Sequence, residues 1–248
     1  MILINLDFIK NCYNSDSNRI NYGEAIDKSG LWKSEQIIFE KYVRKSDKIL
    51  DLGCGAGRTT INLFKLGYTN IIGLDLSNSL IDYAKNYTRK NNLNIEFILG
   101  DARKLYFDDN SFDVVLFSFN GLMCIPEQKN RDVVLAEIHR VLKRGGKFIF
   151  TAHNRDDSGE YNAFWDEEKL RWENGTNDKN LFQFGDRLIA EEGCQFTFVH
   201  IASTDELIKF IEQENFEILE RVKRSDIADE NELVKEFSTE TVFWIVQK

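Results

Sequence analysis

The chain has 248 residues, of which 42% are hydrophobic and 29% charged, and a formal net charge of -9. That balance suits one soluble globular domain with a full core, or a domain carrying a substantial insertion. It disfavours a dedicated nucleic-acid binder, because an acidic surface repels a phosphate backbone, and it leaves small metabolites as better-matched partners. Cys12, Cys54, Cys124 and Cys194 stand far apart with no CxxC pair. This spacing argues against a zinc site or a disulfide framework and for a reducing, cytoplasmic setting. The N-terminus lacks the basic and apolar regions of a signal peptide, and no segment approaches the ~20 apolar residues of a membrane span.

Taken in chain order, residues 1–45 form an N-terminal helical cap. A first helix is expected over Leu3 to Tyr13, then a polar loop through NSDSNRINYGEAIDKSG, then a helix over Ser34 to Val43 with Ile37, Ile38, Tyr42 and Val43 as its apolar stripe. Residues 46–152 alternate strand and helix, the pattern of a parallel sheet covered on both faces. Strands are expected at Asp47 to Asp51, Asn70 to Leu74, Ile95 to Leu99, Phe112 to Phe117 and Lys147 to Ala152. The intervening helices are expected near Arg58 to Leu66, Asn78 to Lys90 (capped by Ser77) and Asn130 to Leu142. Residues 153–202 read as an aromatic-rich insertion whose second half is a hairpin, Leu181 to Ala190 and Gln195 to Ile201, turning at Glu191-Glu192-Gly193. Residues 203–248 complete the chain with a helix from Thr204 to Glu214 and strands at Phe216 to Val222 and Thr241 to Gln247. The charged stretch Lys223 to Glu236 between those strands reads as a solvated connection.

The chemistry concentrates where strands end, as it does in open α/β sheets. KILDLGCGAGRTT (residues 48–60) takes a strand into a helix through Gly53, Gly55 and Gly57. Such a turn leaves backbone N–H groups at a helix N-terminus free for a ligand and lets that ligand approach closely. A dinucleotide fingerprint needs glycine at its sixth place, and Arg58 stands there. Asp75 ends the second strand near the spacing, about 20 residues on, at which an acidic residue meets a ribose. Its carboxylate could accept from both ribose hydroxyls. Asp101 ends the third strand, where a carboxylate can accept from an amine on a purine ring. Cys54 reads as a small residue in a crowded turn rather than a nucleophile. There are three histidines: His139 lies behind the sheet, His200 is on the insertion's second strand, and His153 directly follows the fifth strand. His153 is therefore the candidate base or substrate contact, and Asn120 the candidate orienting amide, each weighed against a packing or turn role.

Together the glycine turn and the Asp51, Asp75 and Asp101 set resemble the motifs of the class I S-adenosylmethionine-dependent methyltransferases over about Lys48 to Ala152. The resemblance implies a three-layer α/β fold around a doubly wound, seven-stranded sheet, mostly parallel with the last strand antiparallel. It implies S-adenosylmethionine as cofactor, with Gly53, Cys54 and Gly55 along its methionine part and Asp51 organising its amine directly or through water. Asp75 would hold the ribose, Leu76 would pack on the adenine, and Asp101 with Ala102 would read the adenine edge. Phe117 and Ser118, in the stretch running to Asn120, would line the methyl-donor site, and Tyr22 would close over it from the N-terminal loop. The expected reaction is in-line methyl transfer to O or N of a small-molecule acceptor, with the insertion as a cap on the acceptor pocket or a homodimer contact. No metal, membrane or nucleic-acid partner is expected. A nicotinamide-dependent oxidoreductase and a non-catalytic binder of the nucleoside cofactor stay open as alternatives.

Overall fold

A computed structural model of the chain describes residues 3–157, 159–191 and 194–248. Seven strands form one sheet in the order β3-β2-β1-β4-β5-β9-β8. They are β1 (Ile49–Leu52), β2 (Ile71–Asp75), β3 (Glu96–Leu99), β4 (Phe112–Phe117), β5 (Leu142–Ala152), β8 (Glu217–Lys223) and β9 (Val242–Gln247). The first five run parallel, and β9 lies antiparallel between β5 and β8. A separate hairpin pairs β6 (Asp186–Glu191) with β7 (Cys194–His200). The turn expected at Glu191-Glu192-Gly193 involves Glu192 and Gly193, which lie outside the described residues.

The central strands are covered on both faces, as their unbroken apolar runs require. Every residue of β1 is buried, including Asp51, and Val114 and Val115 of β4 have no exposed surface. The sheet is flanked by α4 (Arg58–Lys65), α5 (Asn78–Lys90), α6 (Gln128–Val141) and α8 (Thr204–Gln213). Apolar residues from β1, β4, β5, β9, α6 and α8 form the largest core cluster. Strand order reverses between β1 and β4, so a crevice opens there at the carboxyl ends of the strands.

Three segments depart from the sequence expectation. The N-terminal cap holds three helices, α1 (Leu6–Tyr13), α2 (Asp16–Lys28) and α3 (Lys33–Tyr42). The stretch expected as a polar loop is therefore mostly α2, started by Ser15, whose side chain accepts from the Asn18 N–H. Its inward face is small rather than apolar: a Cβ on Gly23 would sit 2.3 Å from the Tyr83 ring, so α2 lies close on α5. Secondly, the charged stretch after β8 contains two short helices, α9 (Arg224–Ile227) and α10 (Glu232–Phe237). Buried Glu230 accepts from the N–H groups of Lys33 and Ser34 at 3.1 and 2.8 Å, capping α3 across the molecule. Thirdly, the insertion, with α7 (Asn162–Glu173) and the hairpin, forms a small aromatic core. Trp165 meets Phe164 and Phe184 edge-on, and Phe198 packs with Ile4 and Ile9 of the N-terminal segment.

Cys54 and Cys124 are not disulfide-bonded. Cys12 is disulfide-bonded, against the expectation of separate thiols throughout. Among the described residues no helix is long and apolar enough to cross a membrane.

Candidate active site

A cavity of about 490 Å³ occupies the crevice. Its floor is the glycine turn. Gly53 has φ +60°, and a Cβ there would lie 2.5 Å from the Phe117 ring, so only glycine fits. Gly57 caps α4 at φ +93°, where a Cβ would meet Ile61 and Phe97 at 2.9 Å. Arg58, the residue that breaks the dinucleotide pattern, reaches back to the N-terminal cap. It donates to both oxygens of buried Glu35, at 2.6 and 2.7 Å, and its guanidinium lies 4.7 Å from the centroid of the Trp32 ring. Trp32, 2% exposed, thus pins the cap to the glycine turn and also meets Phe119 edge-on.

Asp75 lines the cavity at the end of β2. The Gly55 N–H donates to its Oδ2 at 2.8 Å and the Ser77 N–H to its Oδ1 at 2.7 Å. Each oxygen keeps acceptor capacity, which suits two vicinal hydroxyls. Burial raises its pKa, opposed by the N–H groups of Ser77, Gly55 and Leu76.

Asp51 lies behind the turn with no exposed surface and does not line the cavity. Thr60 Oγ1 donates to its Oδ2 at 2.6 Å, while its Oδ1 has no partner. Burial pushes its pKa up to about 7, against the Thr60 bond and the charge of Arg58.

Asp101 and Ala102 line the cavity at the end of β3. The Asp101 carboxylate is taken by Arg103, whose Nη2 donates at 2.7 Å, whose Nε donates to both oxygens, and whose backbone N–H donates at 2.9 Å. Burial pushes the Asp101 pKa up, but these bonds outweigh it and hold the group below its ordinary value. An amine on a purine ring would have to compete with Arg103 for these oxygens.

Tyr22, Gly53, Cys54, Gly55, Leu76, Phe117 and Ser118 also line the cavity. Burial drives the Cys54 thiol well above its ordinary pKa, which keeps it protonated and suits a packing role. Two aromatic residues complete the wall. Phe119 follows β4 with φ +52° and Asn120 has φ +59°, two successive left-handed residues of which only asparagine adopts that region readily. Phe237, at the end of α10, had no forecast role, although Val234 and Phe237, three residues apart, share a helical spacing that signals an inward face. Tyr22, Phe119 and Phe237 meet with ring centroids 5.1 to 6.5 Å apart.

The forecast catalytic pair lies elsewhere. Neither Asn120 nor His153 lines the cavity. The Asn120 amide faces His153 Nε2 at 2.9 Å, and its Oδ1 accepts from Thr241 Oγ1 at 3.0 Å. His153 Nδ1 is 2.9 Å from the Glu240 carbonyl, so both ring nitrogens are engaged. No described residue of the insertion lines the cavity either. It supports α1 from behind.

The comparisons with known proteins agree with this geometry. Residues 49–146 match the family model described as "Methyltransferase domain". A structure titled as SAM-dependent methyltransferases from Methanosarcina mazei superposes with a TM-score of 0.66 at 22% identity, covering 88% of this chain and 98% of that one. Residues 49–146 are thus a methyltransferase domain, in a chain that shares the fold of that structure. A demethylmenaquinone methyltransferase from Staphylococcus haemolyticus is 34% identical over 137 residues, which are 54% of this chain and 55% of that protein. The chain thus spans about half the length of the curated relatives it matches. The cyclase SpnF shares the fold, with a TM-score of 0.69 at 17% identity, over 100% of this chain and 98% of that one.

S-adenosylmethionine is the cofactor named for the Methanosarcina mazei protein. The residues present fit it: Asp75 offers unused acceptor capacity, Gly53 and Gly55 bring bare backbone to the floor, and the orphaned Asp51 Oδ1 lacks the donor that an ammonium or a bridging water supplies.

Proposed function

We propose that the protein transfers the methyl group of S-adenosylmethionine to an oxygen or nitrogen of a small-molecule acceptor by in-line displacement. The observation that carries this reading is the continuity of one cavity from Asp75 and the glycine turn to the aromatic wall of Tyr22, Phe119 and Phe237. The bound cofactor would supply a sulfonium methyl that is already electrophilic. The chain's part is to hold the donor through Asp75 and the turn, align the acceptor, and keep water out with the three rings. Alignment alone supplies much of the acceleration in such a displacement.

The wall has no histidine. An acceptor that reaches the cavity already nucleophilic, such as a neutral amine or an ionised phenol, therefore suits it best. His153, hydrogen-bonded through both nitrogens, enters this reading as a support for the turn at Asn120. The relatives' name points to a quinone-derived acceptor, but their likeness spans only part of the chain. The acceptor class proposed here rests instead on the chamber's own chemistry.

Calorimetric titration with S-adenosylmethionine, S-adenosylhomocysteine and NADH in parallel tests the donor. A screen of aromatic amines and phenols for S-adenosylhomocysteine release then tests the acceptor. Binding of the first two ligands, with release from either acceptor class, is expected. Binding of NADH alone overturns the reading. Cofactor binding without release from any acceptor would point to a non-catalytic binder.

A further inference from the structure

We propose that a second cavity, separate from the methyl-donor site, binds the carboxylate of a small organic acid with an apolar body. This cavity has a volume of about 460 Å³ and, among the described residues, shares no lining residue with the first. It opens between the start of α6, one face of α8 and the chain around β6 and β7. Met123, Phe184, Leu207 and Phe210 give it an apolar wall, while Arg131 and Lys209 bring two cations to it.

Arg131 distinguishes this cavity from an ordinary surface cleft. The residue is 1% exposed, and burial lowers its pKa. A guanidinium has five N–H donors. Here Nη1 donates to the Ile125 carbonyl at 2.8 Å and Nη2 to Gln128 Oε1 at 2.9 Å. Both acceptors are neutral. A buried charge held only by neutral acceptors is costly, and a carboxylate is its natural complement.

The nearby carboxylates are committed elsewhere. Glu206, which lines the cavity and also attracts Arg131, pairs through Oε2 with Arg155 at 2.7 Å and accepts there from the Ser203 N–H. Asp186 attracts Arg131 from behind the wall, but its oxygens accept from His200 Nδ1 and the N–H groups of Phe182 and Gln183. Asp132, which also attracts Arg131, accepts from the Gln128 amide. His200 adds no charge, since burial lowers its pKa despite the Asp186 bond. Lys209, exposed at the mouth, has no partner among the described residues. The cations therefore face a cavity whose other polar groups are the amides of Gln128, Gln183 and Gln213, the His200 ring and the Arg155-paired Glu206, beside an apolar wall. An alkyl or aryl carboxylate satisfies both halves.

Calorimetric titration of the full chain with hexanoate, and with hexan-1-ol as the uncharged control, tests this. Hexanoate should occupy one saturable site, with the alcohol at least tenfold weaker. Arg131→Gln should abolish hexanoate binding. Lys209→Glu, at an exposed position that should not disturb folding, should weaken it at least tenfold and carries the test if Arg131→Gln does not fold. Saturating S-adenosylhomocysteine should leave hexanoate bound. The proposal is overturned by absence of saturable hexanoate binding, by equal binding of the alcohol, by indifference to Lys209→Glu, or by displacement with S-adenosylhomocysteine.

Discussion

The Asn120 side-chain amide donates to His153 Nε2 at 2.9 Å, and that bond fixes the state of the imidazole. An amide nitrogen can only donate, so Nε2 must carry the lone pair. The Glu240 carbonyl can only accept, so Nδ1 must carry the proton. Burial, with a smaller contribution from the charge of Arg224, lowers the His153 pKa and keeps the ring neutral. A neutral ring with both nitrogens occupied is a brace rather than a base. Because the folded pKa lies below the unfolded value, the unfolded chain binds more protons as pH falls below about 6.5, and stability is lost in that window. His153→Ala should therefore cost about 1–2 kcal/mol near neutral pH, and less in acid. It should leave no missing limb near pH 6.5 in the turnover profile. Denaturant melts at several pH values, with rates measured alongside, check this; a lost limb would restore His153 as the base.

The Asp101–Arg103 pair sets up a competition at the adenine end. If the adenine amine is read by this carboxylate, Arg103 must first yield one of its bonds. Arg103→Ala should then tighten S-adenosylhomocysteine several-fold, and Asp101→Ala should weaken it. If Arg103→Ala weakens binding instead, the guanidinium itself contacts the ligand and the carboxylate is only its support.

Asp51 carries a stability cost whose sign can be read from pH. Its folded pKa, raised to about 7, exceeds the ordinary carboxylate value, so the folded chain binds more protons between roughly pH 4 and 7. Stability from this group falls as pH rises through that window. Asp51→Asn should stabilise the ligand-free protein above pH 7, by at most about 4 kcal/mol at ~1.4 kcal/mol per unit, with the gain vanishing towards pH 4. The same change should weaken S-adenosylmethionine binding, because the orphaned Oδ1 is then no longer an anion. Thermal melts across pH and calorimetry give the two readouts.

Glu230→Ala should leave the first N–H groups of α3 without their acceptor. The expected loss is about 1–2 kcal/mol, the ordinary cost of removing a helix cap. Faster proteolysis of residues 228–237 should accompany it. An unchanged melting temperature would mean that water replaces the carboxylate without cost.

The sequence was most legible where pattern and chemistry coincide. β4 and α5 have the bounds that periodicity and the Ser77 cap imply, and Asp75 and Asp101 stand at strand ends because a parallel sheet puts them there. α2 was invisible because its buried face is made of Asn18, Gly23, Ala25 and Ile26, which carry little apolar signal. α10 was masked by its charges, although Val234 is buried and Phe237 reaches the cavity. His153 was less legible for a different reason. Its place after β5 marks the functional edge, but whether a ring at that edge faces a ligand depends on contacts with Asn120 and Glu240, distant in sequence, that no local spacing encodes.

Glu230 lies in the stretch leading to Phe237, and it grips the start of α3 from across the molecule. The two flanks of the chamber, one built early in the chain and one late, are thus latched by the Glu230 carboxylate together with the Tyr22–Phe237 ring contact. Ligand traffic that displaces the Phe237 side must work against the same latch that steadies the Trp32 side. Entry and exit would then behave as one concerted gate rather than two independent flaps.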